Sequence, residues 1–290
     1  MKISIVIPTL ARDTLYPLIE KLLKQDIKYD LDINLVPQYT INTKLLNNKR
    51  INIKYEAPKK GFSYYRNIGI NMSRGEIIVF IDDDELPMNN KWLESITKPI
   101  MDNKEAVVTA GVKIKLNNGY IADSISLLGF PGGGALGFEI IWPLKEKDYT
   151  DHICSGNLAI KKSILKSVGN FSEGMKFGGE DMDLGRKLIK RGFKIRYVKE
   201  ATVYHVPRKG IFNFLKWSFL RGKSAGAEST LKQFLRRIVT TTKVLLIIKK
   251  QHRKYLEGAI LMGIIKHLSQ GAGFCFYKLN RARIWKRNYQ

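Results

Sequence analysis

The stretch Glu76–Glu85, with the sequence EIIVFIDDDE, indicates the fold class to which the rest of the chain must conform. Within it, the apolar residues Ile77–Ile81 follow one another without a polar interruption and lead directly into four acidic residues. An unbroken apolar run of this length is typical of a strand that is buried on both faces, as strands of parallel sheets are. The acidic residues are therefore expected at the carboxyl end of a buried strand.

The segments around this strand repeat the alternation of strand and helix. Lys2–Ile7 is an apolar run ended by Pro8 and Thr9, and Leu15–Leu23 carries leucine and isoleucine at helical spacing. Further strands are predicted at Ile33–Val36, Ile51–Tyr55 and Ala106–Lys115, and helices at Ser63–Ser73 and Trp92–Met101. This order predicts an α/β protein with a Rossmann-like, mainly parallel sheet and helices on both faces. Ligands bind beyond the carboxyl ends of such strands, so Pro8, Thr9 and the acidic run should share one cleft.

The second half of the chain contains a glycine-rich segment and a second acidic motif. Gly129–Gly137 has five glycines in nine residues but matches no phosphate-binding glycine motif, so a mobile loop beside the cleft is expected. Glu180 and Asp181 open a helix that is expected to end at Gly192. Edge strands are predicted at Ile195–Val198 and Ala201–His205, and helices alone thereafter.

The two acidic motifs suggest a metal site and a base. Adjacent carboxylates raise one another's pKa or recruit a cation. One or two acids alone would be explained by a solvated turn or a helix cap. The run Asp82–Glu85 instead favours Mg²⁺ or Mn²⁺ holding a diphosphate. Glu180 and Asp181 either stabilise the N-terminus of their helix through its dipole, or one of them acts as a catalytic base. Together the motifs would suit displacement of a nucleotide leaving group.

The positive charge is concentrated near the end of the chain. The formal net charge is +24, and residues 206–290 contain 19 Lys and Arg against two acidic residues, Glu228 and Glu257. Such a segment is expected to meet anionic lipid or nucleic acid, unless it is only a solvated surface. Aromatic and aliphatic residues alternate with basic ones between Phe212 and Val239, which is typical of amphipathic helices at an anionic membrane. Packing of their apolar stripe on the catalytic domain is the alternative.

Composition excludes several other classes of protein. Hydrophobic residues make up 44% and charged ones 26%, too apolar for a disordered chain. The two cysteines, Cys154 and Cys275, lie outside any Cys/His cluster, so neither a disulfide framework nor a structural zinc is expected. No apolar run reaches the roughly 20 residues that span a bilayer, and the N-terminal run is too short for a signal peptide. A cytoplasmic protein, peripheral at the inner face of the cell membrane, is expected.

Four motifs, in this order and spacing, resemble those of the family 2 glycosyltransferases of the GT-A fold. They are SIVIPTLARD (residues 4–13), GFSYYRNIGINMSRGEIIVFIDDDE (61–85), SGNLAIKKSILKSVGNFSEGMKFGGEDMDLGRKL (155–188) and ATVYH (201–205). The resemblance implies a GT-A catalytic domain over residues 1–207, followed by a basic amphipathic helical extension over residues 208–290. It also implies a hexosyltransferase-type enzyme that inverts the sugar and takes part in polysaccharide biosynthesis or glycosylation.

The resemblance assigns roles to particular residues. Asp181 would be the general base, with Glu180 beside it, and Asp84 would bind Mn²⁺ or Mg²⁺. His205 matches a histidine that in some members helps to bind the metal or the diphosphate. The implied contacts to the nucleotide-diphosphate sugar are Pro8, Thr9, Arg12, Arg66, Asn67, Asp82 and Asp83. The acceptor would be the hydroxyl of a lipid-linked or polysaccharide glycan.

The sequence departs from the family after its second strand, where the usual VDDGS is replaced by Val36–Thr40 with no acid. The Gln38 side chain offers both a hydrogen-bond donor and a hydrogen-bond acceptor there. The sequence therefore does not identify the nucleotide base or the sugar. Tyr65 replaces the usual small residue before the arginine. Two alternatives stay open. One is a nucleic-acid-binding protein that uses the basic segment, although the sequence has no zinc-finger or RNP-type motif. The other is a metal-dependent nucleotidyltransferase, a reaction that would leave Glu180 and Asp181 without a role.

Overall fold

The computed structural model describes residues 1–130, 134–142, 144–174, 179–206 and 210–289. Strands and helices alternate through the first 200 residues, and helices follow. The strands are β1 (Lys2–Thr9), β2 (Asp30–Pro37), β3 (Ile51–Ile53), β4 (Ile77–Ile81), β5 (Glu85–Pro87), β6 (Val107–Thr109), β7 (Val112–Lys113), β8 (Tyr149–Thr150), β9 (Asn157–Lys161), β10 (Ile195–Tyr197) and β11 (Val203–His205). The helices are α1 (Leu15–Leu23), α2 (Phe62–Met72), α3 (Trp92–Met101), α4 (Tyr120–Leu127), α5 (Phe138–Ile141), α6 (Lys162–Ser167), α7 (Glu180–Lys190), α8 (Ile211–Glu228), α9 (Leu231–Gln251) and α10 (Leu256–Tyr289).

An eight-stranded sheet forms the centre of the molecule, in the order β3-β2-β1-β4-β9-β6-β10-β8. β1 to β4 are parallel to one another, as are β6 and β10, whereas β9 is antiparallel to β4 and β6. The expected mainly parallel α/β fold is confirmed. The expectation of edge strands after residue 195 is wrong, because β8 pairs outside β10, and β11 lies between β5 and β7 in a second, three-stranded sheet.

Alternate residues of the central strands pack into two separate hydrophobic cores, one on each face of the sheet. This explains why β4 is apolar throughout. Ile77, Val79 and Ile81 pack in a core with residues of α1 and α3. Ile78 and Phe80 point to the opposite side, into a core with residues of α2, α6 and α7. Helices therefore cover both faces of the sheet, as the sequence predicts.

The residues flanking the glycine-rich centre are packed rather than forming an open loop. Phe130 is buried against Trp217, with ring centroids 4.2 Å apart. Gly134 has a positive φ of +59°, and a Cβ there would come within 1.9 Å of the carbonyl oxygen of Ser126. The expectation of a mobile loop is wrong for these flanks, and residues 131–133 lie outside the described residues.

The C-terminal helices are docked on the α/β core. Phe214, Ile248 and Met262 share one apolar cluster with Leu127 at the end of α4. At the same contact, Tyr255 Oη donates to Asp123 Oδ2 over 2.9 Å. The extension is therefore packed against the rest of the chain, and residues 207–209, where the predicted boundary falls, lie outside the described residues.

One helical segment in the described part of the chain, Arg253–Asn280, is long and apolar enough to cross a membrane by length and composition, with a mean hydropathy of 1.2. The expectation that no segment reaches this length is wrong by that criterion. Lys266 interrupts the apolar run in the sequence, but the helix continues through it. A third of the apolar window (33%) is buried inside the protein.

Candidate active site

The carboxyl ends of β1 and β4 meet at one edge of the sheet and bring the first and second motifs together. Thr9 Oγ1 donates to Asp83 Oδ2 over 2.6 Å, and the backbone N–H of Leu10 donates to the same oxygen over 2.9 Å. Pro8 is buried in the ladder between β1 and β2, opposite Val36. The two segments therefore meet at this edge of the sheet, and Asp83 holds the turn after β1.

Arg12 covers two of the acidic side chains. Its Nη1 donates to Asp83 Oδ1 and, over 2.8 Å, to Asp84 Oδ2. Burial raises the pKa of Asp83, and the charge of Arg12 opposes that rise. The guanidinium therefore compensates the crowding of carboxylates that makes this run costly.

Arg66 connects the acidic run with the start of α7. It is only 2% exposed, and it donates to Asp82 Oδ1 over 2.8 Å and to Glu180 Oε1 over 3.1 Å. Burial alone would lower the pKa of Arg66, but Asp82 and Glu180 raise it above its ordinary value. Arg66 therefore fixes the distance between the two acidic motifs, and both of these bonds go to protein carboxylates.

Asn67 is placed away from the acidic run. Its Nδ2 donates to the carbonyl oxygen of Phe171 over 2.9 Å and to Glu173 Oε1 over 2.9 Å. Its Oδ1 accepts from the backbone N–H of Phe171 over 3.2 Å. Asn67 thus holds the segment that leads towards α7, and its contact with the nucleotide stays a prediction.

Asp181 has surroundings unlike those of its neighbour Glu180. Its Oδ1 is buried and has no hydrogen-bond partner among the described residues. Burial, reinforced by the charge of Glu180, raises the pKa of Asp181 to about 6, against the opposing effects of Arg66 and a hydrogen bond from Ser155. A carboxylate of this basicity can take up a proton near neutral pH.

Asp84 and His205 are brought together by β11, which pairs antiparallel with β5 and sets His205 opposite Glu85. His205 Nδ1 lies 2.6 Å from the carbonyl oxygen of Val206, which can only accept, so Nδ1 carries a proton. His205 Nε2 lies 3.3 Å from Asp84 Oδ1, which is the distance of an ion pair when the ring also carries a proton on Nε2. When Nε2 carries no proton, this nitrogen and oxygen face each other as two electron-pair donors that can share a divalent cation.

The remaining coordination of such a cation would come from outside this pair. Among the described residues, no three His, Cys, Asp or Glu side chains are arranged to hold a metal ion. Two protein ligands leave positions open, and Mg²⁺-type sites commonly fill these with phosphate and water oxygens. The residues present therefore fit a divalent cation that arrives with a diphosphate.

Sequence reasoning misjudged Glu85 and missed Asn157, which both lie beneath the site. Glu85 was grouped with the metal acids, yet it is buried, and burial raises the pKa of its carboxyl well above the usual range. A Cβ at Gly156 would lie 2.6 Å from that carboxylate, which explains the glycine in the Ser155-Gly-Asn157 motif. Asn157 donates to the carbonyl oxygens of Gly111 and Ala201 over 2.9 and 2.8 Å. The motif was visible in the sequence, but its bonds to distant strands were not.

Comparisons with known proteins identify the family and the fold. A sequence profile described as Glycosyl transferase family 2 matches residues 4–169. Chondroitin synthase of Pasteurella multocida is 23% identical over 286 residues, covering 86% of this chain and 29% of that protein. The chain spans roughly a quarter to a third of the length of the first curated relatives it matches.

Two solved structures are similar in fold. A structure of GalNAc-T7 with UDP, GalNAc and Mn²⁺ matches with a TM-score of 0.56 and 15% identity, over 76% of this chain and 47% of that one. The mannosyltransferase PcManGT from Pyrobaculum calidifontis, in complex with GDP-Man and Mn²⁺, matches with a TM-score of 0.57 and 14% identity, over 93% and 73%. The fold is therefore of the GT-A class. The chain belongs to glycosyl transferase family 2.

Proposed function

We propose that this chain is an inverting glycosyltransferase, which transfers a sugar from a nucleoside-diphosphate sugar to a hydroxyl group of an acceptor. The observation that carries the proposal is the carboxylate of Asp181. It has a buried oxygen without a hydrogen-bond partner among the described residues and a pKa of about 6, and Arg66 links its neighbour Glu180 to the acidic run. Asp181 is a base of suitable strength next to the expected donor.

In the proposed reaction, Asp181 takes the proton of the acceptor hydroxyl while the hydroxyl oxygen forms a bond to C1 of the sugar. The bond between C1 and the diphosphate oxygen breaks, and its electron pair leaves with the nucleoside diphosphate. A single displacement inverts C1 and needs one base. Glu180, bound to Arg66, then serves to position α7 rather than to exchange protons.

Asp84 and His205 are the residues that would hold Mn²⁺ or Mg²⁺, with Asp82 and Asp83 on the nucleotide side. When bound, the cation would neutralise the charge that grows on the departing diphosphate. The facing Asp84 oxygen and His205 nitrogen support this assignment, as does the Mn²⁺ named for both structural neighbours.

The proposed acceptor is a lipid-linked or polysaccharide glycan, and the proposed location is the inner face of the cytoplasmic membrane. The similarity to a chondroitin synthase supports a glycan product. Exposed apolar side chains on the C-terminal helices support contact with lipid: Leu231 (59%), Val239 (59%), Leu246 (63%), Leu268 (70%) and Phe212 (82%). Because α10 packs on α8 and α4, attachment to the membrane surface is favoured over a membrane span.

A thermal-shift panel tests the donor half of the proposal. UDP, GDP, dTDP and CDP are each added with Mn²⁺ or with EDTA, and ligand binding to the folded state raises Tm. We expect at least one nucleotide to raise Tm with Mn²⁺ only, and Asp84→Ala to abolish the shift. Asp26→Ala, at an exposed acid away from the site, is the matched control and should behave as wild type. No shift with any nucleotide would contradict the proposal.

A further inference from the structure

A cavity of about 340 Å³ lies between the α/β core and the C-terminal helices. The core contributes Asp181 and Trp142 to its wall. The helices contribute Trp217 and Arg221 from α8 and Gln270 from α10, among others. The proposed base therefore opens into a space whose other side is built by the extension.

The position of this cavity indicates the acceptor side of the reaction, an assignment that rests on the proposed function. Asp82, Asp84 and His205 are absent from the described residues that line it. The donor diphosphate is proposed to sit at those residues, so a molecule in the cavity would reach Asp181 without contacting the described residues assigned to the donor. An acceptor hydroxyl has to reach the base by a route that the donor does not occupy.

The charged residues that line the cavity indicate which kind of acceptor it binds. Arg221 and Lys266 line it, and Asp181 is the one carboxylate among its described lining residues. The Arg221 guanidinium lies 5.5 Å from the centre of the Trp217 ring, and its charge acts on Asp181. Gln270 is 4% exposed, and its Oε1 has no hydrogen-bond partner among the described residues. A largely aromatic and aliphatic wall with two cations attracts an anion, and guanidinium groups pair well with phosphate.

We propose that this cavity is the acceptor site and that it takes a glycosyl phosphate, with the phosphate on Arg221 and Lys266 and the sugar against Trp142 and Trp217. The phosphate can belong to a soluble sugar phosphate or to the headgroup of a lipid-linked sugar. In either case the extension takes part in binding the acceptor as well as in reaching the membrane. Arg221 is then a binding residue for the acceptor, 40 positions along the chain from the base it faces.

Tryptophan fluorescence tests the proposal without any transfer, because Trp142 and Trp217 line the cavity. The full chain is titrated with N-acetylglucosamine 1-phosphate, with farnesyl-diphosphate-linked N-acetylglucosamine in micelles, and with neutral methyl glucoside. Each titration is run alone and with UDP or GDP plus Mn²⁺. We expect saturable quenching by at least one phosphate-bearing sugar and much weaker quenching by the glucoside. Which of the two phosphate-bearing probes binds identifies the source of the phosphate.

Two variants make the test specific. Arg221→Gln should weaken binding of the phosphate-bearing sugar by about tenfold or more, since it removes a charged hydrogen-bond donor. Arg191→Gln, an exposed arginine at the opposite end of α7, is the matched control and should bind as wild type. Equal binding of the glucoside, no binding of either phosphate-bearing sugar, or unchanged affinity in Arg221→Gln would overturn the proposal. Nucleotide-induced Tm shifts in Arg221→Gln report separately on the donor site, so a failed acceptor site and a failed glycosyltransferase assignment are told apart.

Discussion

Glu180 and Asp181 are neighbours in the chain, but their carboxylates have opposite surroundings. Glu180 is bound to the buried Arg66, whereas Asp181 keeps one buried oxygen without a hydrogen bond from the described residues. The pairing lowers the cost of burying Glu180, whereas burial and the charge of Glu180 raise the pKa of Asp181. Two adjacent acids can thus divide between positioning and proton transfer, a division that residue type alone does not reveal.

Asp181→Asn tests this division. The substitution preserves shape and removes the base, so transfer should fall by at least about a hundredfold while nucleotide binding persists. Because burial makes the ionised Asp181 costly, Tm at pH 7.5 should stay the same or rise. Sugar transfer or donor turnover, together with Tm, is measured. Glu180→Gln is the comparison, and it should lower Tm by weakening the bond to Arg66. A greater loss of turnover in Glu180→Gln than in Asp181→Asn would show that the base has been wrongly assigned.

The raised pKa of Asp181 predicts a pH dependence. The base works only when it is ionised, so kcat/KM should fall as the pH drops through about 6. An ordinary aspartate would keep its activity to about pH 4. A pH profile of kcat/KM at saturating Mn²⁺ is the measurement, and unchanged activity down to pH 4.5 would contradict it.

At the scale of elements, the central strands and α1 to α3 could be predicted because their apolar periodicity is local and strong. β4 is an example: its residues supply both cores, so the whole strand is apolar and can be recognised in the sequence. β9 was not predicted as a strand, although it sits between β4 and β6, because its antiparallel pairing depends on partners 50 to 80 residues away. Similarly, the acids could be placed at a strand end, but Arg66 and Arg12 obtained their partners only from the tertiary fold.

The contact between α8 and α10 depends on glycines that the sequence analysis passed over. A Cβ at Gly222 would lie 2.0 Å from the carbonyl oxygen of Gln270, and one at Gly273 would lie 2.1 Å from that of Phe219. The backbones of the two helices therefore touch. Both Arg221 and Gln270, on opposite sides of this contact, line the cavity next to Asp181.

Gly222→Ala should therefore destabilise the protein. The new methyl group meets backbone, which cannot rotate away, so the helices must separate, at a cost of about 1–3 kcal/mol. Gly271→Ala, also in a helix of this pair but with open space around its Cβ, is the control and should be neutral or slightly stabilising. Thermal and urea unfolding compare the two variants, and equal stability would show that the close contact is absent.

At the scale of the whole molecule, the basic extension is both part of the packed structure and the proposed membrane surface. Its shared core with α4 means that removing it would expose apolar surface, so deletion is a poor test of membrane binding. Substituting charged residues on an exposed helix face tests membrane binding without disturbing this core. Lys232, Arg236 and Lys243 lie on α9 and are exposed.

The triple variant Lys232→Gln, Arg236→Gln, Lys243→Gln should bind anionic vesicles more weakly than wild type. Each basic residue near such a surface contributes about 1 kcal/mol, and salt screens the effect over roughly 8 Å at physiological strength. Co-sedimentation with anionic vesicles, neutral vesicles and duplex DNA is the measurement, at low and high salt. Lys21→Gln, Lys98→Gln, Lys190→Gln, at exposed lysines of the core, is the matched control. Tight binding to DNA with none to lipid would support the nucleic-acid alternative instead.

The central claim, inverting transfer from a nucleotide sugar, is tested most directly by the anomeric configuration of the sugar product. The full chain is incubated with α-linked UDP- and GDP-sugars and Mn²⁺, and the first sugar product, formed on water or on an acceptor, is followed by proton NMR before it mutarotates. The account predicts a β-anomer, formed with Mn²⁺, lost with EDTA and lost in Asp181→Asn. An α-anomer, or the same rate in Asp181→Asn as in wild type, would contradict it.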